Sequence, residues 1–103
     1  MLRFYIEVGG IIFTTTEATL RKSPTLNTLI DTATLPENDI LFVDRDPIAF
    51  TFILMYLRSG SMYTAREDDT YIEYLMSEAS FYGLRKLEQD LADECIRRKT
   101  NKV

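Results

Sequence analysis

Apolar and polar positions alternate at the start of the chain. Phe4, Ile6 and Val8 fall on one side, Tyr5 and Glu7 on the other, which is the two-residue period of a β-strand. Gly9-Gly10 supplies the positive φ values of a two-residue hairpin, and Ile11 to Thr16, rich in β-branched and aromatic residues, suits the returning strand. A short helix is predicted from Glu17 to Lys22, with an N-cap among Thr14 to Thr16 and capping-box spacing between Thr14 and Glu17. Ser23-Pro24 ends it. Leu26, Leu29 and Ile30 carry helical spacing through Thr25 to Thr32, and Pro36 to Asp39 reads as a turn.

Ile40 to Val43 is a continuous apolar run, the pattern of a strand buried on both faces. Asp46 then stands as an N-cap with Pro47 at the first helical position. The helix from Pro47 to Arg58 is apolar nearly all round, which predicts a place in the middle of the fold. Arg58 lies at the negative end of its dipole and Gly60 suits the terminating position. Ser61 to Ala65 is a short connection. Glu67 to Ser80 is predicted as an amphipathic helix with Ile72, Leu75, Met76 and Ala79 on one stripe. After Gly83, a last helix runs from Leu84 to about Lys99, with Leu84, Leu87, Leu91 and Cys95 facing inward. Strands first and helices after give an α+β domain, a small mixed sheet packed against helices.

Composition narrows the chemistry. The 103 residues suffice for one domain, and no repeat or linker marks a second. A net charge of −4 disfavours a nucleic-acid partner, because phosphate binding needs a basic surface. The basic residues Arg97, Arg98, Lys99 and Lys102 are expected to form a solvated tail. No apolar run is long enough to cross a membrane. The lone Cys95 fits a reducing compartment, so a cytoplasmic or nuclear location is expected. It follows Asp93 and Glu94, whose charge disfavours a thiolate, so it reads as inert.

The absence of histidine removes the Ser-His-Asp and Cys-His nucleophiles and imidazole metal sites. The carboxylates Glu67, Asp68 and Asp69 open a helix, where they favour its positive end rather than form an acid–base pair. Gly9-Gly10 lacks the spacing of a phosphate loop. No catalytic constellation remains. The expectation is a non-enzymatic protein without cofactor or metal.

Several segments resemble one family. Val8-Gly9-Gly10-Ile11-Ile12-Phe13-Thr14-Thr15 resembles the Val-Gly-Gly-x-x-Phe-x-Thr opening of BTB/POZ domains of the potassium-channel tetramerisation type. Thr19 to Lys22, Leu41 to Pro47, Phe52 to Gly60 and Glu78 to Leu84 resemble its later segments in order, notably Phe-Ile-Asp-Arg-Asp-Pro and Glu-Ala-x-Phe-Tyr-Gly-Ile. The resemblance implies the BTB/POZ fold, here over residues 4–99 with a tail at 100–103, a three-stranded mixed sheet with about five helices.

It also implies self-association, face to side, in a ring of four or five subunits. As alternatives it implies an adaptor that recruits the ubiquitin-ligase scaffold cullin-3, or a stand-alone decoy joining other BTB rings. The zinc-binding subfamilies use one His and several Cys at their subunit contacts, which this chain does not offer. Charge beside the most apolar strand and helix marks Asp44, Arg45, Asp46 and Arg58 as candidates for the subunit contact, with Glu78 and Tyr82 beside them. Local roles stand as alternatives: Asp46 as a cap, Arg45 paired within its own chain. Phe81 is expected in the core and the Tyr82 hydroxyl at a subunit boundary. Gly9, Gly10, Pro47, Gly60 and Gly83 are assigned structural roles.

Overall fold

The computed structural model describes residues 3–33, 40–64 and 67–101. Three strands and five helices follow one another as β1 (Arg3–Val8), β2 (Ile11–Thr16), α1 (Glu17–Leu20), α2 (Pro24–Thr32), β3 (Ile40–Val43), α3 (Pro47–Ser59), α4 (Asp69–Phe81) and α5 (Arg85–Thr100). The turn expected over Pro36 to Asp39 lies outside the described residues.

The hairpin forms as its alternation requires. β1 and β2 pair antiparallel with Val8 opposite Ile11, and Gly9 and Gly10 close the turn at φ 54° and 96°. β3 joins β1 in parallel, so the sheet order is β2-β1-β3 with β1 in the centre. On the inner face Phe13, Ile6 and Leu41 lie in one row and Ile11, Val8 and Val43 in the next. The outer face carries the rows Ile12–Glu7–Phe42 and Thr14–Tyr5–Ile40. No residue of the core cluster comes from that outer face.

This corrects one expectation. β3 is a sheet edge, and only Leu41 and Val43 are buried, while Phe42 is 59% exposed. An unbroken apolar run is the mark of two covered faces, but here only the inner face is covered within the chain.

α3 lies against the inner sheet face. Phe50 meets Phe13 edge-on at 5.0 Å between ring centroids and Tyr82 at 5.5 Å. Ala49, Phe50, Ile53, Leu54 and Leu57 are buried, but Ile48 is 70% exposed and Met55 44%. The helix is therefore central on one side and uncovered on the other, a second correction. Its ends match the sequence. The Asp46 carboxylate caps it, Pro47 takes the first turn and Gly60 terminates it at φ 73°.

Ile72, Leu75 and Ala79 of α4 and Leu87 and Leu91 of α5 complete the core, with Leu84 just before α5, while Met76 and Cys95 are half-buried at its margin. Asp68 caps α4, so the acidic run does open a helix. Gly83 makes the turn to α5 at φ 72°.

The N-cap of α1 falls within the expected Thr14 to Thr16, at Thr16, whose Oγ1 accepts from the Thr19 N–H, and no Thr14–Glu17 capping box forms. Thr14 is still held in the sheet opposite Tyr5, and the chain leaves the sheet only after Thr16. Ser23-Pro24 follows a four-residue α1 and also starts α2, the Ser23 hydroxyl accepting from Leu26 N–H and donating to the Tyr82 carbonyl at 2.6 Å.

Candidate functional site

The charged segment Asp44–Pro47 joins β3 to α3, and the hairpin turn holds it from below. Gly9 N–H donates to the Val43 carbonyl at 3.1 Å. A Cβ on Gly9 would lie 2.4 Å from the Arg45 carbonyl oxygen, so the approach requires glycine.

Each side chain of this segment then has a separate partner. Asp46 Oδ1 accepts from Ile48 N–H at 2.8 Å, and its Oδ2 accepts from the Tyr74 hydroxyl at 3.0 Å. Arg45 forms an ion pair with Glu78, whose side chain is 2% exposed, and its guanidinium carbon sits 4.2 Å from the centroid of the Phe81 ring. Asp44 is exposed.

This end of α3 carries a negative field. The Tyr74 phenol is held above its ordinary range first by its hydrogen bond to Asp46, then by desolvation and by Glu78. The Tyr71 phenol is raised by burial and next by Asp46. Burial and the charge of Glu78 push the Tyr82 phenol up as well.

Glu78 and Tyr82 are corrected as direct contact residues. Both are buried within the single chain, Tyr82 completely, so neither has surface to offer a neighbour. Among the described residues, the Tyr82 hydroxyl and Glu78 Oε1 have no hydrogen-bond partner. Tyr82, expected at a subunit boundary, is core, while Phe81, expected in the core, packs half-buried against it beneath Arg45. The one-position offset follows from the helix end, where Phe81 is the last residue of α4 and Tyr82 its C-cap.

The other end of α3 is positive. Arg58 donates to the Thr14 carbonyl at 2.9 Å, and Lys22 Nζ donates to the Leu57 carbonyl at 3.0 Å. Asp44, Arg45 and Asp46 are thus gathered at one end of α3, and Arg58 stands at the opposite end.

Sequence reasoning missed Arg98, which it assigned to a solvated tail. Its guanidinium is mostly buried and binds Glu94 at 2.7 Å, Asp69 at 3.2 Å, and the carbonyls of Thr64 at 2.7 Å and Glu67 at 2.5 Å. It clamps the α3–α4 connection to the end of α5. The four-residue spacing from Glu94 was a readable sign of a helical ion pair, but the two carbonyl partners were not.

Arg97 and Arg98 hold the Glu94 carboxyl down to about 2, below its ordinary 4.5. Because the folded state binds that proton more weakly, its stabilisation is complete above about 4.5 and is lost as pH falls toward about 2. Arg98→Ala should flatten this acid limb only in part in thermal melts followed against pH, since Arg97 stays on Glu94, and should speed amide exchange near Thr64. Unchanged exchange there would refute the clamp.

Apolar surface also remains uncovered. Tyr5, Ile12 and Phe42 surround Glu7 on the outer sheet face. Ile11, Ile48, Met55 and Tyr63 line a groove beside α3. Among the described residues, no group of three His, Cys, Asp or Glu side chains is placed to hold a metal ion. No helix among them is long and apolar enough to cross a membrane.

The profile of the BTB/POZ domain family matches residues 4–95. The chain belongs to the BTB/POZ family, in its potassium-channel tetramerisation branch. The human potassium channel regulatory protein is 37% identical over 87 residues, covering 80% of this chain and 32% of its own length. A BTB/POZ domain-containing protein of Arabidopsis thaliana is 39% identical over 79 residues, 77% of this chain and 16% of its own length. This chain therefore spans about a third or less of these two relatives. The BTB domain of human gigaxonin superposes with a TM-score of 0.74 at 16% identity, over 87% of this chain and 74% of that one. The likeness is in fold: a three-stranded mixed sheet with five helices. BTB/POZ is a protein-interaction fold.

Proposed function

We propose that this BTB/POZ chain is a self-assembling interaction module that forms a closed ring of four or five copies. One observation carries the reading. A chain with a complete core leaves large apolar side chains uncovered on two separate surfaces: Tyr5, Ile12 and Phe42 on the sheet, and Ile48 and Met55 on α3. Clustered exposure of this kind marks a binding surface. Two unlike surfaces on one subunit suit a heterologous contact, which closes into a ring when its rotation allows.

Light scattering over a dilution series tests the reading. The expected mass is that of four or five subunits at high concentration, falling on dilution. A single-subunit mass throughout would defeat it.

A second reading gives the α3 groove of Ile11, Ile48, Met55 and Tyr63 to another protein in place of a second copy. The cullin-3 N-terminal region, or the BTB domain of another protein, is proposed to dock there. Capture of purified cullin-3 N-terminal region by wild type, weakened by Ile48→Asp, supports the adaptor reading. No capture leaves assembly, or the decoy role, in its place.

A further inference from the structure

α3 is 13 residues long, which places its two ends about 20 Å apart. At the first end Asp44 is exposed, Asp46 caps the helix, and the cation Arg45 is occupied by the buried Glu78 and the Phe81 ring. That end therefore presents net negative charge.

At the second end a groove runs between the α1–α2 junction, the end of α3 and the start of α5. Lys22, Arg58, Arg85 and Lys86 line it, and among the described residues no carboxylate does. Lys22 and Arg58 donate to main-chain carbonyls, which orient their charges without neutralising them. Arg85 is exposed, while Lys86 shares its charge with Asp90 at 2.9 Å. Four cations in one groove on a chain of net charge −4 are a local excess, and only Lys86 among them is shown paired with a carboxylate.

We propose that these two ends of α3 are the two halves of one contact: the Asp44–Asp46 end of one copy docks into the Lys22–Arg58–Arg85–Lys86 groove of the next. This rests on the self-assembly reading and adds a charged contact to its apolar surfaces. The occupant is a second copy because the same chain carries the complementary charge at the far end of the same helix. Each copy then has one donor end and one acceptor groove, which is the requirement for head-to-tail association. Opposite charges across such a contact set register and partner choice, and they weaken as salt rises.

Charge exchange tests the pairing. Asp44 and Arg85 suit it because both are exposed, and a glutamate at position 85 would sit favourably in the first turn of α5. Light scattering is measured for wild type, Asp44→Lys, Arg85→Glu and the double variant in one chain, each with an unchanged circular dichroism spectrum.

Each single exchange should weaken self-association about tenfold or more, and the double exchange should restore most of it. Wild-type association should also fall as salt is raised. Unchanged masses in both single variants would overturn the pairing and assign the groove to another acidic partner. A double variant no better than the singles would overturn it equally. A wild type that is monomeric at every concentration removes the self-assembly reading, and that result is read from wild type alone.

Discussion

Gly9→Ala should destabilise the fold by about 3 kcal/mol, several times the effect of a typical surface substitution. Two costs combine. The residue sits at φ 54°, where a side chain costs about 1 kcal/mol or more. The new methyl carbon would also lie 2.4 Å from the Arg45 carbonyl oxygen and 2.8 Å from Pro47 Cδ. Neither is the free end of a flexible side chain, so the start of α3 must move. Overpacking of that kind costs about 1–3 kcal/mol.

Gly10→Ala is the internal control. Gly10 also has positive φ, at 96°, but open space lies around its would-be Cβ. It should cost about 1 kcal/mol. Urea unfolding of both variants at one protein concentration makes the comparison, since self-association adds to apparent stability. Equal losses would show that the hairpin does not press on the Asp44–Pro47 segment. The functional consequence is specific: Gly9→Ala displaces the acidic end of α3 and should weaken assembly, whereas Gly10→Ala should not.

Arg45→Met should destabilise the chain by about 3 kcal/mol. The substitution leaves Glu78, 1% exposed, without its cation inside the fold. Removing one member of a buried ion pair leaves an uncompensated charge, which costs about 3–5 kcal/mol when burial is complete. The Arg45 side chain is 33% exposed, which favours the lower end of that range. Some packing on the Phe81 ring is kept, because methionine also contacts aromatic faces well.

The double variant Arg45→Met/Glu78→Gln should regain a large part of the loss, because the charge left behind is gone. Urea unfolding of the four proteins gives the coupling energy directly. Additive losses would mean that Arg45 and Glu78 are not coupled. They would also return Arg45 to the list of residues available to a neighbouring subunit.

Local signals in the chain were read accurately where the physics is local. The alternation of Phe4 to Val8, the Gly9-Gly10 turn, the Asp46-Pro47 helix start and the Gly60 stop each depend on a few consecutive residues. Such residues carry the same conformational preference in any fold. The family was legible for the same reason, since its segments are continuous runs such as Leu41 to Pro47.

The errors share another cause. The apolar runs Ile40–Val43 and Pro47–Ser59 have the pattern of burial on all sides, but the chain itself covers only one side of each. Sequence reports that a side chain avoids water. It does not report whether its own fold or a partner removes the water.

By itself, the sequence determined which segments become strands and helices, where they stop, and that no histidine-dependent or thiol-pair chemistry is available. Only the tertiary structure decided what the charges do. It set Arg45 against Glu78, 33 residues away, and Arg98 against the carbonyls of Thr64 and Glu67. It left Asp44 facing solvent and gathered Lys22, Arg58, Arg85 and Lys86 into one groove. The physical reason is range: caps and periodicity act within a turn or two of chain, while ion pairs and grooves depend on which distant segments the completed core brings together.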